Sequence, residues 1–164
     1  MLKPIVQNYV CSVMQHPSFH VYLDSHHVGH AFLELRHPNR QKCSVYGFYP
    51  EAADDKKEVL FGKGEVRDDR QRLTDSLEDE DVNLIEKSME INEQEFRRAK
   101  EFVDEELKSP EFYFLGGYNC VDFIQDTFRK LKDDKTANFV SLYSKAELGK
   151  LAEVGSYAKF RYGI

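Results

Sequence analysis

Apolar side chains recur at every second position through Val28-Gly29-His30-Ala31-Phe32-Leu33-Glu34-Leu35-Arg36, and a period of two buries a continuous face only if the segment is a β-strand. Ala31, Leu33 and Leu35 fall on one face of that strand, and His30, Phe32 and Glu34 on the other. His37-Pro38-Asn39-Arg40 has turn chemistry. The stretch from Cys43 to Tyr49, rich in aromatic and β-branched residues, then returns as the second strand of a hairpin, and Pro50 ends it. A hairpin commits the chain to antiparallel pairing. Further strands are expected at His20 to Asp24, Val82 to Ile91 and Tyr157 to Tyr162, while Met1 to Met14 fits a helix or a strand equally.

The helical signals differ in kind. Asn92 with Glu95 three residues on has the form of a capping box, and Phe96, Ala99, Phe102, Val103 and Leu107 recur at helical spacing until Pro110. After Gly116-Gly117-Tyr118, Asn119 is placed to cap a second helix, with Asp122 at its third position and Val121, Ile124, Phe128 and Leu131 as its apolar stripe. Ser144 with Glu147 predicts a short third helix through Leu151. From Glu51 to Asp81 the chain is charged and poor in aliphatics, which reads as long, mobile loops around an extended piece at Glu65-Val66-Arg67. The expected class is α+β: an antiparallel sheet packed against helices, with the Cys120 helix on the face that displays His30 and a cleft between them. With 164 residues, one domain spanning 1–164 is expected.

Composition excludes several functions. Hydrophobic residues make up 41%, including 12 Phe and 9 Tyr, which suffices for a packed interior. The formal net charge is -6, so no basic stripe is available to neutralise nucleic-acid phosphates. No apolar run approaches the length of a membrane span, and the first fifteen residues lack the charged start and apolar stretch of a cleaved secretory signal. Synthesis in a reducing cytoplasm is expected, with export by a specialised secretion system compatible with the sequence. Cys11, Cys43 and Cys120 are sparse, odd in number and without CxxC spacing, which argues against a disulfide framework and a structural zinc site.

Two residues stand out for chemistry. Cys120 falls in the first turn of its helix, where exposed amides favour a thiolate and can hold a developing oxyanion. His30, flanked by the small residues Gly29 and Ala31, can act as its base if strand and helix start are adjacent. A cysteine on an amphipathic helix is otherwise core filler, and a lone histidine a surface residue. All six histidines lie between His16 and His37, and His26-His27-x-x-His30 suggests metal. Without HExxH or paired-cysteine spacing, no metal and no cofactor is assigned.

The blocks Gly29-His30-Ala31-Phe32-Leu33-Glu34-Leu35, Tyr46-Gly47-Phe48-Tyr49-Pro50, Gly64-Glu65-Val66-Arg67-Asp68-Asp69 and Tyr118-Asn119-Cys120-Val121-Asp122-Phe123 resemble, in this order, circularly permuted papain-like cysteine hydrolases of bacterial toxins and effectors. In papain and NlpC-type enzymes the cysteine helix comes first; here the histidine strand does. The Asn-Cys-x-x-Phe block also resembles the PPPDE isopeptidases and, more distantly, the permuted lecithin:retinol acyltransferase-like enzymes. The resemblance covers roughly residues 28 to 130 and implies Cys120 as nucleophile and His30 as base, with Asn119 and Tyr118 as oxyanion or substrate-positioning candidates. It does not fix the third, orienting residue. Asp24, Ser44 and Tyr49 can reach from neighbouring strands, whereas Glu34, on the His30 strand face, is about 13 Å away. The Asp68-Asp69 pair reads as a solvated turn that can line the substrate groove.

The implied activity is amide or isopeptide hydrolysis. Expected partners are a peptide or peptidoglycan-type substrate, or a ubiquitin-like conjugate in a deubiquitinase-like variant, and an effector would also meet a secretion-system or immunity partner. Acyl transfer is a further outcome of the same chemistry. The rival reading is a non-catalytic adaptor that binds a partner through the acidic stretch Glu51 to Asp81.

Overall fold

The computed structural model describes residues 15–24, 30–40, 43–51, 61–82, 84–114 and 116–147. Six strands form one antiparallel sheet: β1 (Ser18–Asp24), β2 (His30–Arg36), β3 (Ser44–Pro50), β4 (Phe61–Asp68), β5 (Leu84–Glu90) and β6 (Phe112–Phe114), in the order β5-β1-β2-β3-β4-β6. Among the described residues, the helices α1 (Arg70–Glu78), α2 (Glu93–Lys108) and α3 (Cys120–Lys132) and a 3-10 turn (Phe139–Leu142) join the sheet in an α+β architecture. Among the described residues no helix is long and apolar enough to cross a membrane.

The period-two pattern sorts the sheet into two faces. Phe19 and Val21 of β1, Ala31, Leu33 and Leu35 of β2, Phe48 of β3, Val66 of β4 and Tyr113 of β6 form the main core with α2 and α3. Tyr22, Phe32 and Val45 point the other way and pack on Leu73 of α1. Burying a side chain such as Phe123, fully enclosed in the main core, stabilises the fold by about 2 kcal/mol.

Both long helices begin as their sequences dictate. At α2 the Asn92 side chain accepts from the Glu95 amide and the Glu95 carboxylate accepts from the Asn92 amide, both at 2.9 Å. At α3 the Asn119 and Asp122 side chains make the same reciprocal arrangement, and Val121, Ile124, Phe128 and Leu131 are all buried. Arg98 of α2 donates to the Lys130 and Leu131 carbonyls and so closes the last turn of α3. Leu107, expected on the buried stripe of α2, is 46% exposed, and Glu106 is turned inward, where its carboxylate accepts from the Glu111 amide.

The extended piece expected at Glu65-Val66-Arg67 is present as part of a longer strand, β4, whereas Arg70–Glu78, read as loop, is the helix α1, and residues 52–60 lie outside the described residues. Two glycines hide the alternation of β4. Gly64 sits where a Cβ would come 2.2 Å from the Glu111 carbonyl oxygen and 2.3 Å from the Phe48 ring, so the buried face of the strand carries no side chain there. The anchors of α1 are mostly polar: Leu73 is its one fully buried apolar residue, and Arg72 donates to Asp24 at 2.7 and 2.9 Å. The Cys120 helix also packs on the face opposite to the one expected. It covers Ala31, Leu33 and Leu35, while His30 shares its face with Phe32. Ser144 and Glu147 exchange capping bonds as the sequence suggested, but the rest of that short helix, Met1 to Met14 and Tyr157 to Tyr162 lie outside the described residues.

Candidate active site

His30 is the first residue of β2, at the end of the strand, so its ring can be approached both from its own face and around the strand end. Its Nε2 lies 3.0 Å from Asp69 Oδ2, and Cys120 is near enough to raise its pKa. An ionised carboxylate only accepts, so Nε2 carries the proton and Nδ1 is the ring nitrogen left for the thiol. Helix and strand therefore meet around the end of β2, although α3 packs on the far side of the sheet.

Asp69 is held by backbone as well as side chain. Its amide donates to the Val45 carbonyl at 3.1 Å, adding a rung to the β3–β4 ladder, and its carbonyl accepts from Leu73 to begin α1. It thus occupies the N-cap position of α1, yet its side chain makes no capping bond. The carboxylate turns to the sheet, where Tyr49 donates its hydroxyl hydrogen to both oxygens at 2.7 and 2.9 Å. An aspartate diverted from the cap that its position offers is a local rule broken in favour of a site.

Tyr49 also stacks on the His30 ring, with centroids 4.4 Å apart. Burial and the charge of Asp69 raise the Tyr49 pKa, so the hydroxyl stays protonated and keeps donating. Gly47 makes room for the pair. A Cβ there would come 1.8 Å from Asp69 Oδ2 and 2.8 Å from His30 Nε2.

Electrostatics favour the imidazolium. Burial alone would lower the His30 pKa, but hydrogen bonds with Asp69 and Cys120 and the charge of the Cys120 thiolate outweigh it and raise the value to about 9. The ring is nearly enclosed, with its side chain 7% exposed. At the start of α3 the Val121 amide is taken by Asn119 Oδ1 at 2.9 Å and the Asn119 amide by Asp122 Oδ2 at 3.1 Å. The Cys120 amide, in the same turn as the thiol, makes no hydrogen bond among the described residues and is placed to meet an oxyanion.

The other residues singled out in the sequence have different occupations. Asp24 pairs with His30 in the β1–β2 register, and its carboxylate accepts from Arg72 and, at 3.2 Å, from Ser76. Glu34 accepts from Tyr22 at 2.6 Å and forms an ion pair with Arg36. Ser44 lies at the far end of β3, opposite Leu35. Asn119 is 1% exposed, and its amide nitrogen donates to the Gly117 carbonyl, so its side chain works as a helix cap. The Tyr118 ring packs edge-on against Phe48, and its pKa is raised by burial and by the charges of Glu106 and Asp126. Of the third-residue candidates, Tyr49 is joined to the histidine site both by stacking on His30 and by donating to Asp69.

Sequence reasoning missed Asp69 as a partner of His30. The available signal was its position at the end of an extended piece, two residues after Arg67, but Asp68 shares that signal and is solvent-exposed, bound to Arg70. The expectation that the cysteines are not held in disulfides also needs correction, since Cys43 is disulfide-bonded. Cys120 is a free thiol. A polar cleft of about 420 Å³ opens beside the site, lined by Tyr49, Asp69, Asp24, Arg67, Arg72 and Asp75 among others. It lies on the α1 side of the sheet, against the back of Asp69. The chain matches no family model, no curated protein and no solved structure.

Proposed function

We propose that this chain is a cysteine-dependent amide or isopeptide hydrolase built on the permuted papain-like plan, with Cys120 as nucleophile, His30 as base and acid, and Asp69 as the orienting carboxylate. The observation that carries this reading is the placement of one buried imidazole between a carboxylate and a free thiol at a helix N-terminus. The chain order of histidine strand before cysteine helix, with an antiparallel sheet between, supports the permuted plan. That Asp69 belongs to the acidic stretch gives this stretch a part in the site and favours catalysis over the adaptor reading.

In the mechanism, His30 holds the proton of Cys120 as an imidazolium and the thiolate attacks the amide carbonyl carbon. The carbonyl oxygen takes the electron pair and is met by the Cys120 amide. Collapse of the adduct breaks the carbon–nitrogen bond as His30 returns the proton to the leaving amine. Water, deprotonated by His30, then releases the acyl group as a carboxylic acid and regenerates the thiol.

Two assays run in parallel test this: digestion of peptidoglycan and cleavage of ubiquitin-like conjugates, each with the wild type and Cys120→Ala. Release of new amine by the wild type alone is expected in one of them. Thiol reactivity is the independent check. Because Cys43 is in a disulfide, the comparison is between Cys120 in the folded and in the denatured chain at pH 7. Iodoacetamide labelling no faster in the folded chain, with neither substrate cleaved, would refute the hydrolase reading.

A further inference from the structure

The described residues expose three phenylalanines together: Phe61 on β4 (61% exposed) and Phe112 and Phe114 on β6 (49% and 46%). Their rings meet edge to face, with centroids 4.6 Å apart for Phe61 and Phe112 and 5.9 Å for Phe61 and Phe114. Aromatic side chains grouped in water without cover mark a contact surface.

Register fixes where this cup lies. Val66 and Tyr113 point into the main core, so Phe61, Phe112 and Phe114 occupy the opposite face, the one that carries Tyr49 and His30. Tyr49 pairs with Glu65, four residues from Phe61 along β4, and the cup lies beyond that point in the direction of the end of β2 that carries His30. The Phe114 ring also covers the turn into α3, since a Cβ on Gly117 would come 2.4 Å from it, and the Phe114 amide donates to the Tyr118 carbonyl at 2.8 Å. Two strand spacings across and four residues along put Phe61 about 16 Å from His30.

The surface between is polar. Glu65 pairs with Arg67, whose guanidinium lies over the Tyr49 ring, and Lys63 pairs with Glu51. A long acyl chain would lose contact with apolar surface over that distance, whereas an extended peptide can hydrogen-bond to it and bury one side chain at its end. We propose that Phe61, Phe112 and Phe114 form a subsite that receives an apolar side chain of an extended peptide substrate, about five residues from the amide Cys120 attacks. This rests on the hydrolase reading above.

The test uses the full chain and iodoacetyl-peptides of serine carrying one leucine, scanned from the third to the seventh position, with iodoacetamide as the reagent that needs no recognition. Partial burial of leucine should accelerate Cys120 alkylation about tenfold at one position. Phe61→Ser/Phe112→Ser should abolish that preference and leave the iodoacetamide rate unchanged. Equal rates for leucine and all-serine peptides on a fast-reacting thiol would overturn the subsite alone, whereas slow iodoacetamide labelling of Cys120 would overturn the hydrolase reading itself. Faster labelling by iodoacetyl-dodecylamine that depends on the same phenylalanines, without a leucine effect, would assign the cup to an acyl chain. A dimer in sedimentation that the double variant disperses would assign it to a second copy.

Discussion

Asp69→Asn separates the charge of the orienting residue from its shape. The amide oxygen of the variant can still accept from His30 Nε2 and Tyr49, so packing is little altered, but the negative charge is gone. In the wild type the His30 pKa stands at about 9 against an ordinary 6.5, a preference for the folded imidazolium of about 3 kcal/mol. Burial opposes that preference, so Asp69 and Cys120 supply more than the net figure. A hydrogen bond to a charged partner contributes about 1.5–3 kcal/mol, so losing the charge should lower the His30 pKa to about 7–8. The sign for stability follows. A folded pKa above the unfolded one stabilises fully below pH 6.5 and is lost as the pH rises through about 9, so wild-type unfolding free energy should decline over that window and that of the variant should decline by less and at lower pH. The measurements are NMR titration of the His30 ring and urea unfolding at pH 6 and pH 10. An unchanged His30 titration, or an unchanged slope of stability with pH, would show that Asp69 does not hold the imidazolium.

The remaining predictions concern the scaffold around that pair. Gly47→Ala puts a methyl group into the Asp69–His30 contact and should cost about 2 kcal/mol in urea unfolding while slowing Cys120 labelling. Asn119→Ala should lower stability by about 1 kcal/mol, the usual cost of a lost N-cap, and cleavage by the variant should track its folded fraction; a much larger loss in a fully folded variant would restore Asn119 as an oxyanion donor. Tyr49→Phe removes the donor from a buried carboxylate and should destabilise by about 1–2 kcal/mol, read in the same unfolding assay.

How much of this was legible depended on what each residue announces locally. Asn92 with Glu95 and Asn119 with Asp122 carry their caps within four residues, so both helix starts could be placed from sequence. Ala31, Leu33 and Leu35 fixed the buried face of β2 by alternation. Arg72 and Asp24, which secure α1, are far apart in the chain and both polar, so no periodicity connects them. Gly64 removes the side chain that would have revealed β4. Asp69 looked like a turn residue because its partners, Tyr49 and His30, come from two other strands, and only the β2–β3–β4 register brings them together. The helix packing face was misjudged for a related reason: that His30 ends its strand, and can be reached around that end, is a three-dimensional fact.

His30 and Cys120 are ninety residues apart in the chain, with Tyr49 and Asp69 between them. Closing a loop of that length costs conformational entropy that no local contact near either residue offsets, so their meeting waits on long-range strand pairing. His30, Tyr49 and Asp69 all precede Cys120 in the chain, yet the sheet that aligns them buries its main core against α2 and α3. In any unfolded or truncated form lacking that packed sheet, Cys120 has only the ordinary reactivity of an exposed cysteine. The setting that would activate this thiol exists only once the whole fold has formed.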